Sequence, residues 1–568
     1  MPQTSDPAGA SPSQAGAVQP PVTLVRLIAV ISVLGPLALA LLPTAIRLAV
    51  LFAYGGAAPP GSDGGNWLAF SKEMFGGQVK AAEAEYPPVF PFLLWAGGHF
   101  TQELLALKLL SLTSALAVGG AVYFLARPRV GSWPAAALAA AASSHPYAME
   151  MLAWGGAPQL LGTAFLLPAA YLWVKGIEDS QPFSLAAGAV LGAAAAATQQ
   201  LVALEMVLAF LLGTALVVGR KAISRDRNGL AQSLAALRRT PVLLAILALI
   251  LAIFYYRILA NLAGDPSNPL DMSLFDSVLR VGRWHGDDWI WASAFILVFP
   301  CSAFLAMRGD KTAVTTTALC VSAGLILLVT QEVRTVHLIE TGLLLGSAPV
   351  AILLARPLRP GAVQALATIC AGVRFRPLAQ MFRPGETLMQ TTGRARRLAV
   401  TVCLVGASLL IAIQGLRAAK ADFDWYRVID RPAFEALEWI RSHRVVGDLA
   451  VAGQTGRGGI YGWWLEGYAL QPTYLAIEDR WLSYRQEHAQ AAVARKLSGS
   501  DLTAAEIAAL ASVCRVRYVM LDLDRDASLK VRLTEARFAS VFESGNIEVL
   551  EFTGQLREYR ECPGWRSG

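Results

Sequence analysis

The chain has 568 residues, 55% of them hydrophobic and only 16% charged, and its mean hydropathy is +0.47. That balance is too apolar for a soluble protein, and runs long enough to cross a bilayer recur throughout, so the sequence reads as a polytopic membrane protein. The formal net charge of +7 sits mostly in short connections suited to anionic lipid headgroups, which leaves no need for a nucleic-acid partner.

Residues 1–21 are rich in Pro, Ser, Gly and Gln with no basic n-region, so they read as a disordered cytoplasmic tail and not as a signal peptide. The first span, Thr23 to Phe52, is therefore a retained anchor. Further spans centre near Leu116, Ala139, Leu166, Gly192, Phe210, Ile250, Phe299, Leu325, Leu345 and Val405, about eleven in all, and the transmembrane domain covers 22–419. Arg127 and Arg129, Lys175, the segment Arg220 to Arg239, Arg308 with Lys311, and the strip Arg356 to Arg397 fall on alternate loops. The opposite loops are acidic, with Asp63, Glu73, Glu83 and Glu85, then Glu150, then Asp265 to Asp288, then Glu332. Basic residues resist translocation, so the predicted topology in the cell membrane puts the N-terminus in the cytoplasm and the C-terminal segment outside. The outward loops are then 54–99, 145–158, 257–289 and 331–337.

From about Lys420 charges become frequent and no further run could span, which defines an extracytoplasmic α/β domain over 420–568. Arg431 to His443 has amphipathic helical spacing, and Asp448 to Ala452, Arg517 to Leu523 and Ile547 to Phe552 have strand character. Leu502 opens another helix, with Thr503 as N-cap and Glu506 three residues on. The six cysteines show no CxxC spacing. Cys301, Cys320, Cys370 and Cys403 lie in or beside spans as small hydrophobes, whereas Cys514 and Cys562 lie in the exported domain, where a disulfide is permitted. No internal repeat of fixed period is evident.

Chemistry belongs with the outward loops, where acids, aromatics and glycines coincide. Ser62-Asp63-Gly64-Gly65-Asn66-Trp67 opens the first of them, followed by Glu85-Tyr86-Pro87-Pro88-Val89-Phe90-Pro91. Asp63 has two readings: a turn residue capping a short helix over Asn66 to Phe75, or a carboxylate that takes a proton from an attacking hydroxyl. Asn66, Glu85 and Tyr86 offer further polar and aromatic groups, and the prolines stiffen the loop. The second outward loop adds His145, Glu150 and Trp154, His145 reading as a hydrogen-bonded loop histidine and Trp154, taken alone, as an interfacial belt residue. Gln199 and Gln200 suit either a sugar or a helix junction.

Arg334 stands at the outer end of two closely joined spans, near His337. Its five donors fit a phosphate, Glu332 is the alternative partner, and an unpaired guanidinium at mid-depth would cost about 2.5 to 3.5 kcal/mol. Asp287 and Asp288 could bind a divalent ion, but acids at the start of a helix suit its dipole without one, so no metal and no cofactor are assigned. In the exported domain, Gly459-Ile460-Tyr461-Gly462-Trp463-Trp464-Leu465-Glu466-Gly467-Tyr468 is an aromatic patch with an acid. Trp464 and Glu466 could meet a sugar, or the tryptophans could pack the domain onto the membrane body.

A first span that ends in an acidic loop, a Tyr-Pro-Pro segment, a body of many spans with a late outward arginine, and an exported C-terminal domain together resemble the GT-C superfamily of integral-membrane glycosyltransferases. Protein O-mannosyltransferases and the lipid A aminoarabinose transferase are of this type. The resemblance implies a polyprenyl-phosphate-linked sugar donor, an acceptor that is glycan, lipid or protein, and inverting displacement at the anomeric carbon. It implies that Asp63 is the catalytic base or an acceptor-binding residue, the base being the role assigned here, and that Arg334 holds lipid phosphate. Many members carry paired acids in the first loop, whereas Gly64 follows Asp63 here, so a second carboxylate must come from Glu85, Glu150 or elsewhere. A lipid-linked sugar flippase and a non-catalytic membrane scaffold are the alternatives.

Overall fold

The computed structural model describes residues 34–47, 49, 58, 61, 63–77, 86–238, 240, 252, 289–330, 333–355, 388–427, 429–445, 447–452, 461–474, 485–557 and 562. Helix α1 (Leu34–Arg47) lies within the first predicted span, and the predicted span near Ile250 lies outside the described residues. Helix α2 (Asp63–Ser71) runs into a π-helical turn (Lys72–Gly76), and α3 (Val89–Phe100) starts directly after Pro87-Pro88. The membrane body continues through α4 (Glu103–Val130), α5 (Ser132–Ser144), α6 (Pro146–Trp154), α7 (Ala157–Glu178), α8 (Pro182–Ala196), α9 (Gln200–Ile223) and α10 (Arg227–Arg238). It is completed by α11 (Trp289–Met307), α12 (Lys311–Thr330), α13 (Val336–Ala355) and α14 (Leu388–Trp425). Among the described residues, six helices are long and apolar enough to cross a membrane: α4, α7, α9, α12, α13 and the Arg397–Asp424 part of α14. The chain is a membrane protein.

Small residues decide how these helices pack. In α5 every residue from Ala135 to Ser144 is buried, against α4 on one side and α14 on the other. A Cβ on Gly119 of α4 would lie 2.8 Å from the Ala139 carbonyl oxygen, so only glycine permits that approach. Two expectations are corrected here. The predicted span near Ala139 is the 13-residue α5, about 20 Å long and too short to cross alone. It ends because Pro146 holds His145 in an extended conformation (φ −63°, ψ 157°). The basic segment after Arg220, expected as loop, forms α10, seated where Lys221 Nζ donates to Ser233 Oγ (2.9 Å) and Ser233 Oγ donates to the Ile177 carbonyl (2.8 Å).

One end of the bundle is bound by ion pairs: Arg129 with Asp310 (3.4 Å), Arg220 with Glu178 (2.5 Å) and Lys311 with Asp179 (2.6 Å). The other end gathers the starts of α4, α7, α9 and α13, the short helices α2, α3 and α6, and the C-terminal end of α14.

Helix α14 runs unbroken to Trp425, a few residues past the boundary drawn at 419/420. After it come α15 (Arg431–His443), β1 (Leu449–Ala452), α16 (Tyr461–Gly467), β2 (Thr473–Tyr474), α17 (Arg485–Ser498), α18 (Ala504–Val513), β3 (Val516–Asp522), α19 (Leu523–Glu535), β4 (Phe538–Ser544) and β5 (Ile547–Phe552). The sheet order is β2-β1-β3-β5-β4, with β1 parallel to β2 and β3 and with β5 antiparallel to β3 and β4. Asp430 caps α15 at the Ala433 amide, and Thr503 and Glu506 form the expected capping box of α18.

The period of two along each strand splits the side chains between two cores. Leu449, Val451, Val519, Leu521, Leu550 and Phe552 face one side, and the Cys514–Cys562 disulfide closes that core. Closing a 48-residue separation in the unfolded chain is worth about 4 kcal/mol in the chain-entropy account. Ala450, Tyr518, Met520, Ile547 and Val549 face the other side, where one continuous apolar cluster passes through α15 and α16 into α2, α3 and the first turns of α4 and α7. The sheet is thereby packed onto the bundle.

Asp526 sits at a kink in α19, largely buried, its Oδ2 accepting from the Asp522 amide at 3.3 Å. Burial, helped by the Asp522 charge and opposed by that amide, pushes its carboxyl up to about 6. A raised carboxyl favours the fold while it is protonated, so its contribution is complete below about pH 4 and is lost as pH rises through about 6. Asp526→Asn is therefore expected to stabilise the protein by roughly 1–3 kcal/mol at pH 8 and to change little at pH 4, measured by thermal unfolding at both values.

Candidate functional site

The short helix α6 organises the site, and the sequence at both its ends explains why it is short. His145-Pro146 starts it, and Gly155, in the left-handed region at φ +108°, ends it with its amide on the Met151 carbonyl. His145 is fully buried, with Nδ1 2.5 Å from Glu340 Oε2 on α13 and 3.3 Å from the Ala148 amide. The Ala148 amide donates to Nδ1, which makes His145 the side-chain cap of α6, and the Glu340 carboxylate lies within ion-pair distance of the same nitrogen. The ring stacks on His337 with centroids 5.1 Å apart, and Thr341 Oγ1 lies 3.4 Å from its Nε2. His145 thus tethers α6 to α13, matching the sequence reading of a hydrogen-bonded histidine.

Asp63 is the first residue of α2, half-buried, where a carboxylate suits the exposed amides and the dipole. A Cβ on Gly155 would lie 2.8 Å from the Asp63 Cβ, and Trp67 Nε1 donates to the Gly155 carbonyl at 2.7 Å. Two residues earlier Gly61, at φ +101°, donates its amide to the Tyr426 carbonyl (2.8 Å). The Tyr426 hydroxyl donates to Glu150 Oε1 at 3.1 Å. Burial first, then the charges of Glu150, Asp422 and Asp63, push the Tyr426 phenol well above its ordinary range. The phenol is bonded to Glu150 and feels the charges of Asp422 and Asp63 as well. Of the acids the sequence offered as a second carboxylate, Glu150 lies here, joined by Asp422, while Glu85 lies outside the described residues.

Arg334 lies in a 3-10 turn (Val333–Thr335), partly exposed, and its carbonyl accepts from Gln159 Nε2 (2.8 Å) on the first turn of α7. Asp63 and the Arg334 backbone thus lie against the α6–α7 corner from segments far apart in the chain, at the same end of the bundle. His337 is buried, and neither of its ring nitrogens has a hydrogen-bond partner among the described residues.

The other expected residues divide into two groups. Asn66 and Trp154 are half-buried near Asp63, and Trp154 contributes the backbone against which Gly61 packs. Tyr86 is buried, its ring stacked on Phe70 at 5.1 Å and 4.9 Å from Trp67. Gln199 caps α9 through its Oε1 and the Val202 amide (3.0 Å), which is the helix-junction reading. Glu466 is buried in α16. Trp464 is fully buried against Gly64 and Leu107, which leaves no ring face for a sugar and matches the packing alternative.

Three residues escaped the sequence reading. Asp422 and Tyr426 sit beyond the apolar run of α14 and look like ordinary junction polarity. Arg47, within the first span, is fully buried, with Nε donating to Met149 Sδ (2.7 Å) and neither Nη partnered among the described residues. A lone arginine inside an apolar run was the available signal. Among the described residues no group of three or more His, Cys, Asp or Glu is placed to hold a metal ion.

No family model matches the chain, and no curated protein matches its sequence. In fold it is similar to ArnT from Cupriavidus metallidurans bound to undecaprenyl phosphate, with a TM-score of 0.53 and 15% identity, covering 92% of this chain and 99% of that one. Apo ArnT from the same organism gives a TM-score of 0.52 at 14% identity, covering 90% and 97%. Arabinofuranosyltransferase AftD from Mycobacteria gives 0.51 at 14% identity, covering 91% of this chain and 42% of that longer one. These are GT-C glycosyltransferases, and the chain has the GT-C fold.

Gly155→Ala tests the corner. A β-carbon there meets both a left-handed backbone and the Asp63 side chain, so the variant is expected to lose about 1–3 kcal/mol, read as a lowered midpoint of thermal unfolding in detergent.

Proposed function

We propose that the protein is a glycosyltransferase that moves a sugar from a polyprenyl-phosphate-linked donor to a glycan, lipid or protein acceptor on the extracytoplasmic side of the cell membrane. What supports this reading is that Asp63 packs against Gly155 and the Arg334 backbone against Gln159, on either side of the α6–α7 corner and at the end of the bundle that the C-terminal domain covers. The GT-C fold and the undecaprenyl phosphate bound by ArnT, a protein of similar fold, support a lipid-linked donor. The ion-paired, basic end of the bundle suits the cytoplasmic face, and the Cys514–Cys562 disulfide suits an exported domain.

In this reading the acceptor hydroxyl attacks the anomeric carbon from the face opposite the lipid phosphate. The oxygen–carbon bond forms as the carbon–phosphate oxygen bond breaks, its electron pair leaves with the phosphate, and configuration inverts. Asp63 takes the hydroxyl proton. Its place at the start of α2, beside the Glu150–Tyr426 pair, keeps it oriented and ionised for that transfer. Arg334 stabilises the charge that develops on the departing phosphate. Arg47 and His337, buried on the α1 and α13 side of the same corner, extend this polar lining beneath it.

Asp63→Asn keeps the size of the side chain and removes its basicity. In liposomes supplied with undecaprenyl-phosphate-linked sugars and a crude envelope acceptor, transfer is expected to fall by about 10²- to 10⁴-fold while the melting curve stays in place. Undiminished transfer would remove Asp63 as the base. Flippase activity that survives in the same variant, with no transfer detected in either protein, would replace the transferase reading by the transporter one.

A further inference from the structure

The exported domain meets the candidate base through α16. Four close approaches join α16 to α2 and the π-helical turn that follows it. A Cβ on Gly64 would lie 2.8 Å from Trp464 Cζ2, and one on Gly65 would lie 2.5 Å from the Trp463 carbonyl carbon and the Trp464 amide. Gly467 faces the Gly65 carbonyl, and Lys72 Nζ donates to the Gly467 carbonyl at 2.6 Å. Lys72 also pairs with Glu103 (2.6 Å), Glu103 pairs with Arg441 of α15 (2.8 Å), and the Arg441 guanidinium lies 4.8 Å over the Tyr468 ring, whose hydroxyl donates to Glu438.

Within this contact one hydrogen bond reaches the backbone that leads into Asp63. The Trp464 indole N–H donates to the Gly61 carbonyl (3.2 Å), while the amide of the same Gly61 is held by the Tyr426 carbonyl (2.8 Å) and its α-carbon lies against the Trp154 backbone. The peptide units flanking Gly61 are therefore fixed from three directions by α14, α6 and the exported domain. Gly61 tolerates the resulting φ of +101° at little steric cost.

We infer that Trp464 is a positioning residue for Asp63, so that the exported domain completes the reaction centre by setting the carboxylate of a membrane-body helix. This rests on the proposed role of Asp63 and extends it, because a carboxylate misplaced by about 1 Å loses on the order of a hundredfold in rate. Trp464 touches no substrate in this account. It acts through the Gly61 carbonyl and through the space above Gly64.

Trp464→Phe keeps most of the ring and deletes the N–H. Two measurements are made on the full chain in liposomes. Hydrogen exchange of the peptide covering 63–71 is expected to quicken by about fivefold or more, while peptides from α7 and α12 stay unchanged. With the undecaprenyl-phosphate sugar that the wild type uses, kcat is expected to fall by about ten- to a hundredfold with KM for the donor within about twofold. In an Asp63→Asn background the same change is expected to alter the residual rate by less than about twofold, because a residue that acts through Asp63 has nothing left to position. Should Trp464→Phe not fold, Gly64→Ala raises the indole from the α2 side and carries the same expectations. Unchanged exchange at 63–71, or an equal loss of kcat with and without the Asp63 carboxylate, overturns the positioning role. Faster exchange with no transfer from any donor supports the positioning role and overturns the transferase reading instead.

Discussion

Backbone-to-backbone approach at glycines is the constraint on which the working end of this molecule depends. At Gly61, Gly64, Gly65 and Gly155 a single β-carbon would strike another chain segment at under 3 Å. The approaching segments are α6, the α6–α7 corner and α16. Without these gaps α2 could not lie against all three, and its first residue, Asp63, would not pack against Gly155. The aromatic residues around it, Trp67, Phe70, Tyr86, Phe90 and Trp464, then fill the volume the glycines leave and hold their polar edges toward carbonyls, as the Trp67 and Trp464 indoles do.

Charge is distributed with a related economy. The fully or nearly fully buried ionisable groups of the membrane body include Arg47, Lys108, His145, Glu205, His337 and Glu340. Lys108, Glu205, His337 and Glu340 fall within the first two turns of α4, α9 and α13, Arg47 closes the described part of α1, and His145 starts α6. Desolvating a charge near a helix end costs less than at mid-depth, because helix-end dipoles, neighbouring acids and nearby water reduce the penalty. A polar layer can therefore exist inside an apolar body, and it lies on the side that carries Asp63 and Arg334.

Composition and hydropathy carried the architecture. The runs centred at Leu116, Leu166, Phe210, Leu325, Leu345 and Val405 became the long helices, since an apolar stretch bounded by charge has few other ways to satisfy its backbone. Local signals were equally readable where one residue decides the outcome, as with Thr503 and Glu506 capping α18, or Arg431 to His443 forming a helix with those ends. Failures arose where tertiary partners decide. Nothing in an alanine run reveals that α5 stops at Ser144, apart from the proline two residues on. Trp464 read as an exposed stacking platform as easily as a buried wedge until Gly64 and Gly65 were seen beneath it. Asp422 and Tyr426 gain meaning only from Glu150, more than 270 residues away in the chain.

The ion pairs at the far end of the bundle, Arg129 with Asp310, Arg220 with Glu178 and Lys311 with Asp179, join the ends of α4, α7 and α9 to the α11–α12 turn. These side chains are partly shielded from solvent, so salt weakens the pairs less than it would on an open surface. A bundle fastened at that base pivots rather than slides. Any widening between the helices must then splay them from the Asp63 side downward, with the greatest displacement beside the C-terminal domain and the least at the fastened foot.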